Sequence, residues 1–202
     1  MPSRGARSWI VPALVAGAVG APSGWWITDR LEQANDFCNA CHLEAGVRLH
    51  AGQRRDFDAR PPLSLAGAHG AARVAGREDP AFRCIDCHGG TEALGRSRVK
   101  LLSAKDAFWY ALGRFDEPEG MRWPLWDADC AKCHASFEER EGAPNPRFHE
   151  LAVHNHELGM ECVACHLVHE GGGLAEADFL HPKHVRSRCA ECHREFEEEG
   201  EG

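Results

Sequence analysis

A chain of 202 residues with a formal net charge of −8 has room for one domain and an anchor, and shows no clustered basic surface of the kind that binds nucleic acid. Ten Cys and thirteen His stand against one Tyr and three Met. The cysteine count alone admits disulfides, zinc sites or other thiol chemistry, and spacing has to decide among them.

The first element in chain order is Ser8 to Thr28, which carries no charge. A stretch of this length can cross about 30 Å of hydrocarbon. Trp9 near one end and Trp25 and Trp26 near the other are placed like interfacial anchors, and Arg4 and Arg7 precede the stretch. The positive-inside rule then predicts a single-pass protein of the cytoplasmic (inner) membrane, with the remainder on the periplasmic side. A cleaved signal peptide is the competing reading, with Arg4 and Arg7 as its basic region and Ala18 and Ala21 in its cleavage zone. Both readings export the rest of the chain. The expected division is a segment 1–30 that anchors or is cleaved, a domain over 31–194 and an acidic tail over 195–202.

Five pentapeptides follow: Cys38-Asn39-Ala40-Cys41-His42, Cys84-Ile85-Asp86-Cys87-His88, Cys130-Ala131-Lys132-Cys133-His134, Cys162-Val163-Ala164-Cys165-His166 and Cys189-Ala190-Glu191-Cys192-His193. Two residues between thiols let one turn reach both vinyl groups of a porphyrin, and the next residue then sits under the iron. Cys-x-x-Cys-His is the attachment signature of c-type haem. A zinc ribbon does not require the His, and a redox dithiol uses the spacing once. Five repeats that consume every cysteine set both aside. The expected cofactors are five c-type haems, with His42, His88, His134, His166 and His193 as proximal ligands. The predicted fold is mainly α with extensive irregular loops, wrapped around packed haems, plus a single N-terminal transmembrane helix. Without haem so short a chain has little else for a core.

Eight histidines remain, enough to complete five irons with three to spare. The candidate distal ligands are His69, His154, His169, His181 and His184, leaving His50, His149 and His156. His181 and His184 flank Pro182, which predicts a helical turn starting there. Beyond the start residue only Met121 and Met160 could offer sulfur. A mostly bis-His set should hold low potentials, because Met/His ligation raises them.

Residues 43–83, rich in Gly, Ala, Pro and Arg and broken by Pro61-Pro62, predict a loop-heavy connection with one or two short helices. Val99 to Phe115 reads as an amphipathic helix, with Leu101, Lys105, Phe108, Leu112 and Phe115 at three- and four-residue steps. Its aromatics, with Trp123 and Trp126, suit packing against haem faces. The alternative is a quinol pocket with Lys100 or Lys105 as a polar contact. Glu195 to Gly202 reads as a solvated acidic tail.

The N-terminal anchor, Phe37 before the first motif, the second motif, Trp126-Asp127-Ala128-Asp129-Cys130 and His154 before Cys162 together resemble the NapC/NirT/NrfH family of membrane-bound quinol dehydrogenases. The resemblance covers residues 8 to about 169. It implies electrons taken from membrane quinol and passed to a periplasmic redox partner. The chain departs from it in a fifth motif at Cys189, and in Glu44 where the family places a Met two residues after the first motif. A relay subunit of a larger respiratory or photosynthetic complex, without its own quinol site, is the alternative function. Reduction of a small oxyanion at an open haem is a third, and no Cys-x-x-Cys-Lys variant marks it.

Overall fold

The computed structural model describes residues 4–116, 125–134, 149 and 158–196. These residues are mainly helical. Helix α1 runs Arg4–Leu31, with Pro12 and Pro22 inside it. Its Trp9–Leu31 stretch of 23 residues is long and apolar enough to span a membrane, and the rest of the protein leaves it uncovered. Trp9, Leu14, Val19 and Trp26 are all exposed.

A one-turn helix α2 (Asn35–Cys38) leads into a small antiparallel hairpin, β1 (His42–Glu44) with β2 (Val47–Arg48). Helices α3 (Ala51–Asp58) and α4 (Leu65–Ala71) then pack on each other. This pair holds a large part of the buried set, Phe57, Ala66 and the fully enclosed Ser64. Ser64 caps α4 by accepting from the Gly67 N–H at 3.0 Å, and its hydroxyl donates to the Asp56 carboxylate on α3 at 2.6 Å. Close packing depends on Gly70, where a Cβ would lie 2.3 Å from the Phe57 carbonyl oxygen. Replacing Ser64 with Ala removes the cap and the inter-helix bond together, and should cost about 1–2 kcal/mol, read as a lowered urea midpoint with unchanged slope.

Helix α5 (Cys84–His88) is followed by α6 (Glu92–Ala111), the longest helix after α1 among the described residues. The periodicity expectation of Val99 to Phe115 is therefore shifted. The helix starts about two turns earlier, at Glu92, and it stops early because Gly113 takes a left-handed φ of 64°. The Gly113 N–H bonds Tyr110 and the Arg114 N–H bonds Trp109, each at 2.9 Å, which satisfies the last carbonyls. Helices α7 (Asp127–His134), α8 (Cys162–Cys165) and α9 (Pro182–Ala190) complete the α-helices among the described residues, α9 starting at Pro182 as the sequence predicts. Residues 43–83 contain two short helices, as expected of them.

Helices α1 and α6 are clasped by charge. Lys100, only 8% exposed, donates to Glu32 at 2.7 Å and to the Thr28 hydroxyl at 2.8 Å, and its ammonium lies 5.6 Å from the Trp25 ring centroid. Arg96 bonds Asp29 at 2.6 Å and also reaches Glu32. At its other end, Tyr110 on α6 accepts from the His42 N–H at 2.8 Å and donates to the His42 carbonyl. Helix α1, helix α6 and the first motif thus form one connected unit.

Candidate functional site

Each of the five pentapeptides places at least one cysteine on a helical turn. The second is α5 itself, the third ends α7, and the two cysteines of the fourth bound α8. The first begins at the last residue of α2, and the fifth at Cys189 near the end of α9.

Successive motifs are joined in chain order. The Asn35 side chain, three residues before Cys38, accepts from the Cys84 N–H at 2.9 Å. Lys132 of the third motif donates to the Asp86 carbonyl of the second at 3.1 Å. Asp127, at the start of α7, accepts from the Cys162 N–H at 2.7 Å. His184 on α9 bonds the Ala164 carbonyl of the fourth motif at 2.8 Å through Nε2. The helices pack in the same series: α2 on α5, α5 on α7, α7 on α8 and α8 on α9.

The thiols follow this series. The side chains of Cys38 and Cys84 share a hydrogen bond, which draws Cys84 down to about 7 and pushes Cys38 up. Cys130 and Cys162 form a second such pair, with Cys130 lowered and Cys162 raised by their mutual bond. Burial pushes the Cys87 thiol up to about 12, and it raises Cys165 as well. None of the ten cysteines is held in a disulfide.

Three motif histidines face a second imidazole. The His88 and His169 rings lie with centroids 6.2 Å apart and planes 19° from parallel. His166 and His149 are 6.3 Å apart at 18°. His134 and His69 are 6.0 Å apart at 86°, nearly perpendicular. Burial draws His88 down to about 4 and also lowers His166, so both rings are held neutral, the form that can donate a lone pair to a metal.

Neighbouring groups orient the facing rings. Nδ1 of His69 lies 2.9 Å from the Leu65 carbonyl one turn back on α4, which leaves the Nε2 lone pair available when Nδ1 carries the proton. His169 places Nδ1 3.5 Å from the Asp56 carboxylate, which also holds Ser64. The Ala66 N–H at the start of α4 bonds the Val168 carbonyl at 2.8 Å and fixes the loop segment that carries His169. The α3–α4 pair therefore supplies one facing ring and positions another.

Of the sequence-predicted distal set, the structure brings His69 and His169 against motif histidines. His181 points Nε2 at the Glu170 carbonyl, 3.2 Å away, and His184 is engaged with Ala164. His154 lies outside the described residues, as do His156, Met121 and Trp123. The His193 ring meets Phe196 edge-on at 6.1 Å. Sequence reasoning ranked His149 among the spare histidines, and Asp56 was not singled out at all; each is defined by a distant partner and leaves no local signal. Of the two lysines considered for a polar pocket, Lys105 is exposed and Lys100 is enclosed by the clasp. Among the described residues no three metal-ligating side chains converge, whereas paired imidazoles recur. No family model, curated protein or solved structure matches the chain.

Proposed function

We propose that this chain is a membrane-anchored pentahaem c-type cytochrome that moves electrons from membrane quinol to a periplasmic redox partner. The supporting observation is the ring spacing. Two imidazoles on opposite sides of one metal, each bond about 2 Å long and each nitrogen about 1.2 Å from its ring centre, bring the centroids roughly 6.4 Å apart. The three facing pairs at 6.0, 6.2 and 6.3 Å fit that requirement, and each has one member directly after a Cys-x-x-Cys. A zinc site would need a tetrahedral set, which a pair of facing rings does not offer.

In this reading the ten motif cysteines hold the groups covalently, and His42, His88, His134, His166 and His193 are their proximal ligands. His169 serves opposite His88, His69 opposite His134 and His149 opposite His166. Bound there, bis-His haem supplies one-electron transfer at low potential. The protein's part is to fix ring orientation through Leu65 and Asp56, to keep His88 and His166 neutral, and to hold the motifs in series.

The membrane end favours the quinol reading over that of a relay subunit within a larger complex. The first motif begins seven residues beyond α1, and Tyr110 ties it to the helix that α1 clasps. The resemblance to the NapC/NirT/NrfH family points the same way. The test is a pyridine haemochrome assay against protein mass, with five haems per chain expected and four or fewer counting against one motif. Quinol-driven reduction in liposomes, with and without a quinol-site inhibitor, separates quinol oxidation from a relay role.

Ring orientation adds a spectroscopic expectation. Parallel imidazole planes act on one of two iron d orbitals and split them, whereas perpendicular planes act on both and leave them nearly degenerate. The pairs at 19° and 18° should therefore give rhombic low-spin spectra, and the 86° pair a highly anisotropic one with a large maximum g. Electron paramagnetic resonance of the oxidised protein, with His69 replaced in a second sample, should lose the anisotropic signal selectively.

A further inference from the structure

Helix α6 and the Leu112 that caps it carry a largely exposed stripe. Leu94, Leu101, Phe108 and Leu112 are 64%, 71%, 58% and 52% exposed, and the exposed Arg98 and Lys105 lie between them. At 3.6 residues per turn these six positions fall within an arc of about 80°. Arg96, Lys100 and Tyr110, which make the contacts to α1, to Gly89 after the second motif and to the first motif, lie on the opposite side. These contacts to α1 and the first two motifs are therefore made from the side of α6 away from the stripe.

We infer that this stripe lies in the headgroup region of the same bilayer that α1 spans, making α6 an interfacial helix in the plane of the membrane surface. The inference rests on reading α1 as a membrane span. Depth is set by the clasp: Lys100 sits over Trp25 and bonds Thr28, so the middle of α6 is at the level of the aromatic end of α1. At that level the outward side of a helix meets lipid. The composition suits it, since leucine and phenylalanine can enter the acyl boundary while Arg98 and Lys105 extend to lipid phosphates. Two basic residues on this stripe, in a chain whose net charge is −8, match an anionic surface. From Leu94 to Leu112 the contact would run about 27 Å.

The test uses the full-length, haem-loaded protein in liposomes containing an anionic phospholipid and a phospholipid with a photoactivatable diazirine near the headgroup. Peptides are mapped by mass spectrometry. Labelling is expected in α1 and on the Leu101–Lys105 and Asp106–Arg114 peptides, and not on α3–α4. A Leu101→Glu/Phe108→Glu variant should lose the α6 label and keep that of α1; Arg98→Glu/Lys105→Glu, which leaves the apolar residues in place, should lose the preference for anionic vesicles. Label in α1 but none in α6 overturns the inference and leaves the span standing. If α6 is unlabelled and also shielded from hydroxyl radicals, a protein covers the stripe and the inference fails equally. Absence of label from both helices removes the span and the inference together, while the haem count is unaffected.

Discussion

Replacing His169 with Ala should convert one haem per chain from low to high spin and leave the others unchanged. The expectation follows from a single facing pair, in which His169 lies opposite His88 across 6.2 Å. Removing the ring opens one axial position and cannot be repaired from α4, because His69 faces His134 instead. A high-spin signal equivalent to one iron should appear in the oxidised spectrum. His169→Met should retain low spin and raise the potential of that haem, since thioether ligation stabilises the reduced iron. Replacing Asp56 with Ala should leave the spin state intact but broaden the signal, because the carboxylate only orients the ring. An unchanged spectrum for His169→Ala would remove this ligand assignment.

The second large effect is expected at the clasp. Glu32 and Lys100 are each 8% exposed and bonded at 2.7 Å. Changing Glu32 to Leu leaves the ammonium enclosed, with the Asp29 carboxylate at 3.7 Å as its remaining acidic neighbour among the described residues. Breaking one partner of a buried pair costs about 3–5 kcal/mol, and Asp29 keeps this case at the lower end. The double replacement Glu32→Leu/Lys100→Met should recover much of that loss, because it leaves no unpaired charge on either side. Lys105→Met, on the exposed face, should stay within about 0.5 kcal/mol of the parent. Denaturation of the detergent-solubilised protein measures all three. A Glu32→Leu protein as stable as Lys105→Met would mean that the clasp does not hold α6 to α1.

What the sequence disclosed is what local chemistry determines. The five pentapeptides, the uncharged span and the start of α9 at Pro182 each need only a few consecutive residues to be read. Helix α6 is visible in its apolar period from Val99 on, but Glu92, Gly95, Arg96, Ser97 and Arg98 dilute that period over its first two turns to Leu94 alone, so its start is not legible. Ring partners were not legible, because nothing near His149 differs from what surrounds the other histidines. Nor was the dependence of His169 on Asp56, which requires α3 and α4 to be packed, with Gly70 allowing the approach. The serial contact of motifs rests on Asn35, Asp127 and Lys132, ordinary polar residues until their partners are known.

On the proposed reading of an exported, haem-holding chain, the crossing of the facing pairs would set an order on maturation. If the chain is exported N-terminus first, His69 and His149 emerge before His134 and His166, the motif histidines they face. His88 is different: its partner His169 follows two further motifs along the chain. The His88 pair would then be complete only after residue 169 has crossed, whereas the other two pairs would be complete as soon as their motifs emerge. Chains arrested before residue 169 would lack the second imidazole of that pair. Completion of the His88 pair would thus report that translocation has passed the fourth motif.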